Sequence, residues 1–296
     1  MSNSSTYPPK DAGGVKVRNI SLAEGLIHLR VVGTGKAALF LHGVSAHGRS
    51  WLEVARILER REANLECWLP DLLGRGKSDP GAQLRYRLDD EVRRIQTLVE
   101  GMSDNGSAVS FPSVVIGHSH GAAIALAVAA VEPSVRGLVL SNPVTSDIRR
   151  PLALDMLKIG IVRRFIARIV APFHRPLGHL VLRRVGGPYF NIPSDSVEAY
   201  SRPYRELERA RTLMRILADW SPAEIYARLP ERRLTAHVFA GAHDPRVPVK
   251  TAERLATDLD AGFTVVEDGG HVLPEQHPRL LARQITDIVA KVDSKP

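Results

Sequence analysis

Five residues, Gly117-His118-Ser119-His120-Gly121, constrain this chain more than any others, because of what flanks them. Before them, residues 113–116 read SVVI, a short β-branched run behind Pro112. After them, residues 122–131 read AAIALAVAAV, strongly helical by propensity and closed by Pro133. The pattern predicts a strand, a sharp turn and a buried helix that meet at one serine. Such a turn is strained and pushes the serine hydroxyl clear of the sheet. Glycines suit the flanks, where strand and helix pass too close for a Cβ.

A serine hydroxyl is a poor nucleophile until a base takes its proton, and the base needs an orienting acid. Both have candidates downstream. Residues 238–244 read VFAGAHD, an apolar strand that breaks at Gly241 into a loop carrying Asp244. Residues 263–271 read FTVVEDGGH, a second strand whose glycine turn delivers His271. Each lies just past the C-terminal end of a predicted strand, where open α/β sheets place their ligands. Asp147, a few residues beyond the apolar run at 138–140, is the alternative acid; it adjoins Arg149 and Arg150, and Asp244 is preferred. An oxyanion needs donors as well. Residues 38–43 read ALFLHG, a buried strand entering a glycine turn, so the backbone N–H groups of Val44 and His120 are the candidate oxyanion hole.

These pieces together resemble the α/β-hydrolase superfamily. The resemblance rests on LHG at 41–43, on DLLGRGKSD at 71–79 (similar to the family's DxxGxGxSD turn), on the serine turn, on 241–244 and on Gly270-His271. The order Ser119, Asp244, His271 is that of the family. The resemblance implies a mostly parallel central sheet with helices on both faces and an inserted helical cap. It implies a catalytic triad of Ser119, Asp244 and His271. Dehalogenases and epoxide hydrolases of similar outline carry an aspartate where this chain has Ser119, which argues against those reactions.

The domain reading is a polar leader over 1–14, expected to be disordered, a core over 15–143 and 218–296, and a helical cap over 144–217. A chain of 296 residues with 44% apolar content is long enough for that arrangement. The single cysteine, Cys67, excludes an intrachain disulfide and suits a reducing, cytoplasmic setting; on a predicted central strand it reads as a buried, inert thiol. No secretory signal pattern and no apolar stretch of about 20 residues is seen, so a soluble protein is expected. The net charge of +8 comes without a nucleic-acid recognition motif, so no nucleic-acid partner is expected. Helical periodicity predicts a helix over 88–100, with Val92, Ile95, Leu98 and Val99 on its inner side.

The cap carries the substrate question. Leu157, Ile159, Ile161, Phe165, Ile166, Ile169 and Val170 form a heavily apolar surface, and Arg163, Arg164, Arg168, Arg175, Arg183 and Arg184 charge it positively. One reading packs the apolar residues against the core and leaves the arginines solvated. The other is an acyl tunnel or a peripheral contact with lipid surfaces.

Among the other histidines, His42 is expected to orient the turn at the oxyanion hole. His118 and His120 are expected to line the site, and His47 and His243 to be water-exposed loop residues. Trp51 is read as a core anchor. No metal and no cofactor are expected, since no histidine pair has the spacing and carboxylate company of a metal site. The expected partner is a small-molecule ester with a lipophilic acyl or alcohol part, cleaved through an acyl-enzyme on Ser119. Residues 42–51 (HGVSAHGRSW) also resemble the oxyanion region of monoacylglycerol lipases. The alternatives are carbon–carbon hydrolysis of a ring-cleavage dienone, a haloperoxidase-like side activity, and a ligand-binding receptor on the same fold.

Overall fold

A computed structural model of the protein describes residues 14–102, 110–145, 152–190, 194–221 and 233–294. Residues 1–13 of the leader read over 1–14, and the alternative acid Asp147, lie outside them. The chain opens with an antiparallel pair, β1 (Val15–Leu22) and β2 (Gly25–Gly33). It continues through β3 (Lys36–Leu41), α1 (Leu52–Arg60), β4 (Leu65–Pro70), α2 (Leu88–Glu100), β5 (Val114–His118), α3 (His120–Val131) and β6 (Gly137–Ser141). Five described helices follow: α4 (Leu152–Asp155), α5 (Gly160–Val170), α6 (His174–Gly186), α7 (Ser194–Ser201) and α8 (Leu207–Asp219). The remaining elements are β7 (Thr235–Gly241), α9 (Val249–Asp258), β8 (Gly262–Val266), α10 (Leu273–Gln276) and α11 (Pro278–Asp293).

The eight strands form one sheet in the order β1-β2-β4-β3-β5-β6-β7-β8, antiparallel only where β2 meets β1 and β4. Side chains of a strand alternate between faces, and the central strands are apolar on both. Leu39, Leu41, Val115, Leu138 and Leu140 face α2, α3 and α9, while Ala38, Phe40, Val114, Ile116 and Val139 face α1 and α11. Such strands suit a parallel sheet covered on both sides. The helix predicted at 88–100 is α2, with Val92, Ile95, Leu98 and Val99 buried. Cys67 is buried on β4, and burial pushes its thiol up to about 12. Trp51 is fully buried, edge-on to Phe40, and donates from its indole to the Leu41 carbonyl at 3.2 Å.

The helices between β6 and β7 have a small core of their own, in which Leu157, Ala167, Ala171, Ala210, Met214 and Ala218 are buried. They are tied to core loops by polar contacts. The Gly81 N–H donates to Thr212 Oγ1, the Tyr86 N–H to Asp219 Oδ2, and Tyr204 Oη to the Ser45 carbonyl.

Candidate active site

Strand order and register bring the site together. β5 and β6 are neighbours with His118 opposite Ser141, and β7 follows with Phe239 opposite Ser141. The residues leaving these strands at their C-terminal ends therefore share one rim. Ser119 leaves β5 in the turn to α3 with φ 55° and ψ −117°, a strained conformation for a residue with a Cβ. The glycines on either side make the turn possible. A Cβ on Gly117 would lie 2.5 Å from Ala122 Cα, and one on Gly121 would lie 2.3 Å from the Leu41 carbonyl oxygen. Both contacts are with backbone, which cannot swing aside.

His271, after β8, has Nε2 2.9 Å from Ser119 Oγ and Nδ1 2.7 Å from Asp244 Oδ2. The Asp244 side chain is sealed from solvent and accepts from the N–H groups of Arg246 and Val247 on its other oxygen. Burial alone would raise its pKa. The His271 ring and these N–H donors outweigh burial and hold the carboxyl below its usual range. An ionised Asp244 can only accept, so His271 Nδ1 carries the proton. Nε2 is then left as the acceptor of the Ser119 hydroxyl proton.

The alpha/beta hydrolase family model matches residues 38–284, a span that includes all three of these side chains. The chain belongs to the alpha/beta hydrolase family. It is 27% identical over 282 residues to the magnesium-chelatase 30 kDa subunit of Rhodobacter capsulatus, covering 89% of this chain and 91% of that one. It is 24% identical over 271 residues to monoacylglycerol lipase abhd6-B of Xenopus laevis, covering 88% of this chain and 77% of the other. Among solved structures, haloalkane dehalogenase DbeA from Bradyrhizobium elkani USDA94 superimposes with a TM-score of 0.75 at 21% identity, covering 95% of this chain and all of the other. At that identity the likeness shows the fold alone. The relatives support a hydrolase.

In this alpha/beta hydrolase, the turn carrying Val44 abuts the serine: a Cβ built on Gly43 would sit 3.4 Å from Ser119 Cβ. Among the described residues, neither the Val44 nor the His120 N–H makes a backbone hydrogen bond outside the regular elements. His42 holds the turn from beneath. The Leu72 N–H donates to His42 Nε2 at 2.9 Å, and Nδ1 donates to the Gly43 carbonyl at 2.7 Å. The ring is therefore neutral with its proton on Nδ1; burial pulls its pKa down to about 3. The DxxGxGxSD turn is a brace rather than a reacting group. Asp71 accepts from the N–H groups of Gly48 and Lys77 and pairs with buried Arg30. Burial opposes its charge, but Arg30 foremost brings the carboxyl down to about 2. Arg75, fully buried, pairs with Glu91 at 2.6 Å and also donates from Nε to the Val44 carbonyl at 3.4 Å.

The remaining histidines divide differently from expectation. His118 does more than line the site: its Nε2 donates to the His271 carbonyl at 2.6 Å, bracing the backbone of His271. Burial, then the His271 ring, lowers its pKa to about 3. His120 is buried with Nδ1 unpartnered, and burial with nearby Arg75 lowers its pKa to about 3. His47, expected in water, is instead buried, because Tyr200 of α7 packs on it with ring centroids 5.1 Å apart. Its pKa falls to about 4, with burial the main cause. His243 is exposed beside Tyr189. Among the described residues, no group of three or more His, Cys, Asp or Glu side chains could hold a metal ion.

Two site residues escaped the sequence reading. Asn142, with φ 47°, donates from Nδ2 to Asp244 Oδ2 at 2.7 Å and to the Gly270 carbonyl at 3.1 Å. Its signal was available, since it follows β6 as Ser119 follows β5. Gln276 accepts from the Gly270 N–H and donates to the Gly186 carbonyl, linking the His271 turn to the end of α6. No sequence signal pointed to it.

Proposed function

We propose that this chain is a serine hydrolase of carboxylic esters, with a lipophilic acyl or alcohol group in the substrate. The observation that carries the reading is the hydrogen-bonded series from Ser119 Oγ through His271 to Asp244, at 2.9 and 2.7 Å. In the proposed reaction, His271 Nε2 takes the Ser119 proton as Oγ attacks the ester carbonyl. The Val44 and His120 N–H groups receive the oxyanion. Collapse of the tetrahedral intermediate breaks the ester bond, and His271 passes its proton to the departing alcohol. Water, deprotonated by the same ring, then releases the acid and restores Ser119. Asp244 holds the imidazole tautomer and stabilises its charge throughout.

The test is steady-state hydrolysis of p-nitrophenyl esters from acetyl to palmitoyl, with Ser119→Ala alongside. Sustained turnover that favours medium or long chains and disappears in the variant is expected. Full activity in Ser119→Ala would refute the acyl-enzyme. A folded protein inert on every ester would favour the carbon–carbon or ligand-binding alternatives. The match along nearly the whole length of the Rhodobacter capsulatus protein favours a second reading, membership of a magnesium-chelatase assembly. In that case chelatase activity, not ester turnover, would depend on this chain.

A further inference from the structure

Helices α5 and α6 present an apolar face to solvent. Among the described residues, fourteen large hydrophobic side chains are exposed, and ten of them lie between Met156 and Tyr189. The inner side of α5 is accounted for: Ala167 is buried in one cluster with Ala210 and Met214 of α8, and Ile166 and Val170 pack against that cluster. The outer side carries a second stripe. Ile161 is 69% exposed, Phe165 62%, and Ile169 43%. Helical bonding from Ile169 to Phe173 and from Phe173 to Leu177 carries the i, i+4 spacing into α6, where Phe173, Leu177 and Val181 extend it.

The charge around this stripe has one sign. Residues 156–194 contain one lysine and six arginines and no Asp or Glu, which is seven of the chain's net eight positive charges. Arg164, Arg168, Arg175, Arg183 and Arg184 are exposed, and none pairs with a carboxylate among the described residues. Asp155, at the margin, is taken up by Lys158 at 2.9 Å. No described helix is long and apolar enough to cross a membrane.

We propose that this face of α5 and α6 docks on an anionic lipid bilayer, the apolar stripe entering the interface and the arginines meeting the headgroups. Two observations select that occupant. A second copy of the chain would oppose one cationic face to another, which repels. An anionic bilayer answers both the charge and the apolar stripe. Docking would also orient the site, because the His271 N–H donates to the Val185 carbonyl at the end of α6 at 2.7 Å. The proposal concerns binding and stands whatever bond Ser119 cleaves.

Flotation of the full chain with phosphatidylcholine vesicles, pure or one-third phosphatidylglycerol, tests it. Binding to the anionic vesicles alone is expected, weakening with salt. Arg164→Gln/Arg168→Gln should reduce partitioning about fivefold for each arginine. Ile161→Gln/Phe165→Gln/Ile169→Gln should reduce it about tenfold or more. Arg279→Gln/Arg283→Gln, which removes the same charge from exposed positions on α11, should leave it unchanged. All these side chains are exposed, and unaltered melting temperatures would show that the fold persists. No binding to either vesicle overturns the proposal. So does an equal loss in the α11 variant, which would mean adsorption by net charge alone. Self-association that the apolar variant abolishes, with no vesicle binding, would assign the face to a second copy.

Discussion

Lowering the pH from about 7 to about 5 should destabilise this protein steeply through four buried histidines, none of them in the proposed Ser119–His271–Asp244 series. His42, His47, His118 and His120 are each at most 5% exposed, and burial brings their pKa values to about 3, 4, 3 and 3. In the unfolded chain each would titrate near 6.5. The unfolded state therefore binds protons first. Stability is complete above about pH 6.5 and falls as the pH drops, until the folded-state values are reached. At about pH 5 each histidine has cost about 2 kcal/mol, and the four about 7–8 kcal/mol, comparable with a whole domain's stability of about 5–15 kcal/mol. Asp71 and Asp244, whose folded values are lowered, add to the loss only below the ordinary aspartate range. The assay is urea unfolding followed by tryptophan fluorescence at closely spaced pH values. Near pH 5 the slope should approach about 5 kcal/mol per pH unit, the uptake of four protons. His47→Phe should lower that slope by about 1.4 kcal/mol per unit, since it removes one proton site. It also replaces a ring whose two nitrogens are buried without partners. A slope below about 1.4 kcal/mol per unit, or no change in His47→Phe, would refute the reasoning, because these rings would then be protonated in the folded state.

Asp244→Asn should leave the fold intact and reduce ester turnover by about four orders of magnitude, since an amide can present a donor to His271 Nδ1 and favour the wrong tautomer. Turnover within tenfold of the parent would move the acid elsewhere. Asn142→Ala removes the donor shared by Asp244 and the Gly270 carbonyl; unfolding free energy should drop by about 1.5–3 kcal/mol, with kcat falling rather than KM rising. If only KM changed, Asn142 would be acting on substrate and not on the acid. Gly121→Ala should cost about 3 kcal/mol or abolish folding, because its methyl would meet backbone of β3, whereas Ala122→Gly, one residue on, should cost about 1 kcal/mol. Equal melting temperatures for the two would remove the close-packing argument for the glycine.

The strand-turn-helix at Ser119, the helix at 88–100 and the loops bearing Asp244 and His271 were legible in the sequence because each depends on backbone within a few residues. Glycine where a Cβ has no room, apolar spacing at the helical period and loops just past apolar strands are local signals. They fixed the fold class and the order of the candidate triad. Other features required chain segments far apart to meet. His47 is dry because Tyr200 closes on it, and Asn142 reaches Asp244 only because β6 and β7 lie side by side. His118 finds a use for its ring in the carbonyl of a residue beyond β8. The helices between β6 and β7 show the limit most plainly. Helix α5 carries two apolar stripes, Ile166-Ala167-Val170 and Ile161-Phe165-Ile169, and periodicity cannot say which one faces inward. Only the position of α8 decided that, by packing the first against the cluster that includes its Ala210 and Met214 and leaving the second, with its arginines, in solvent.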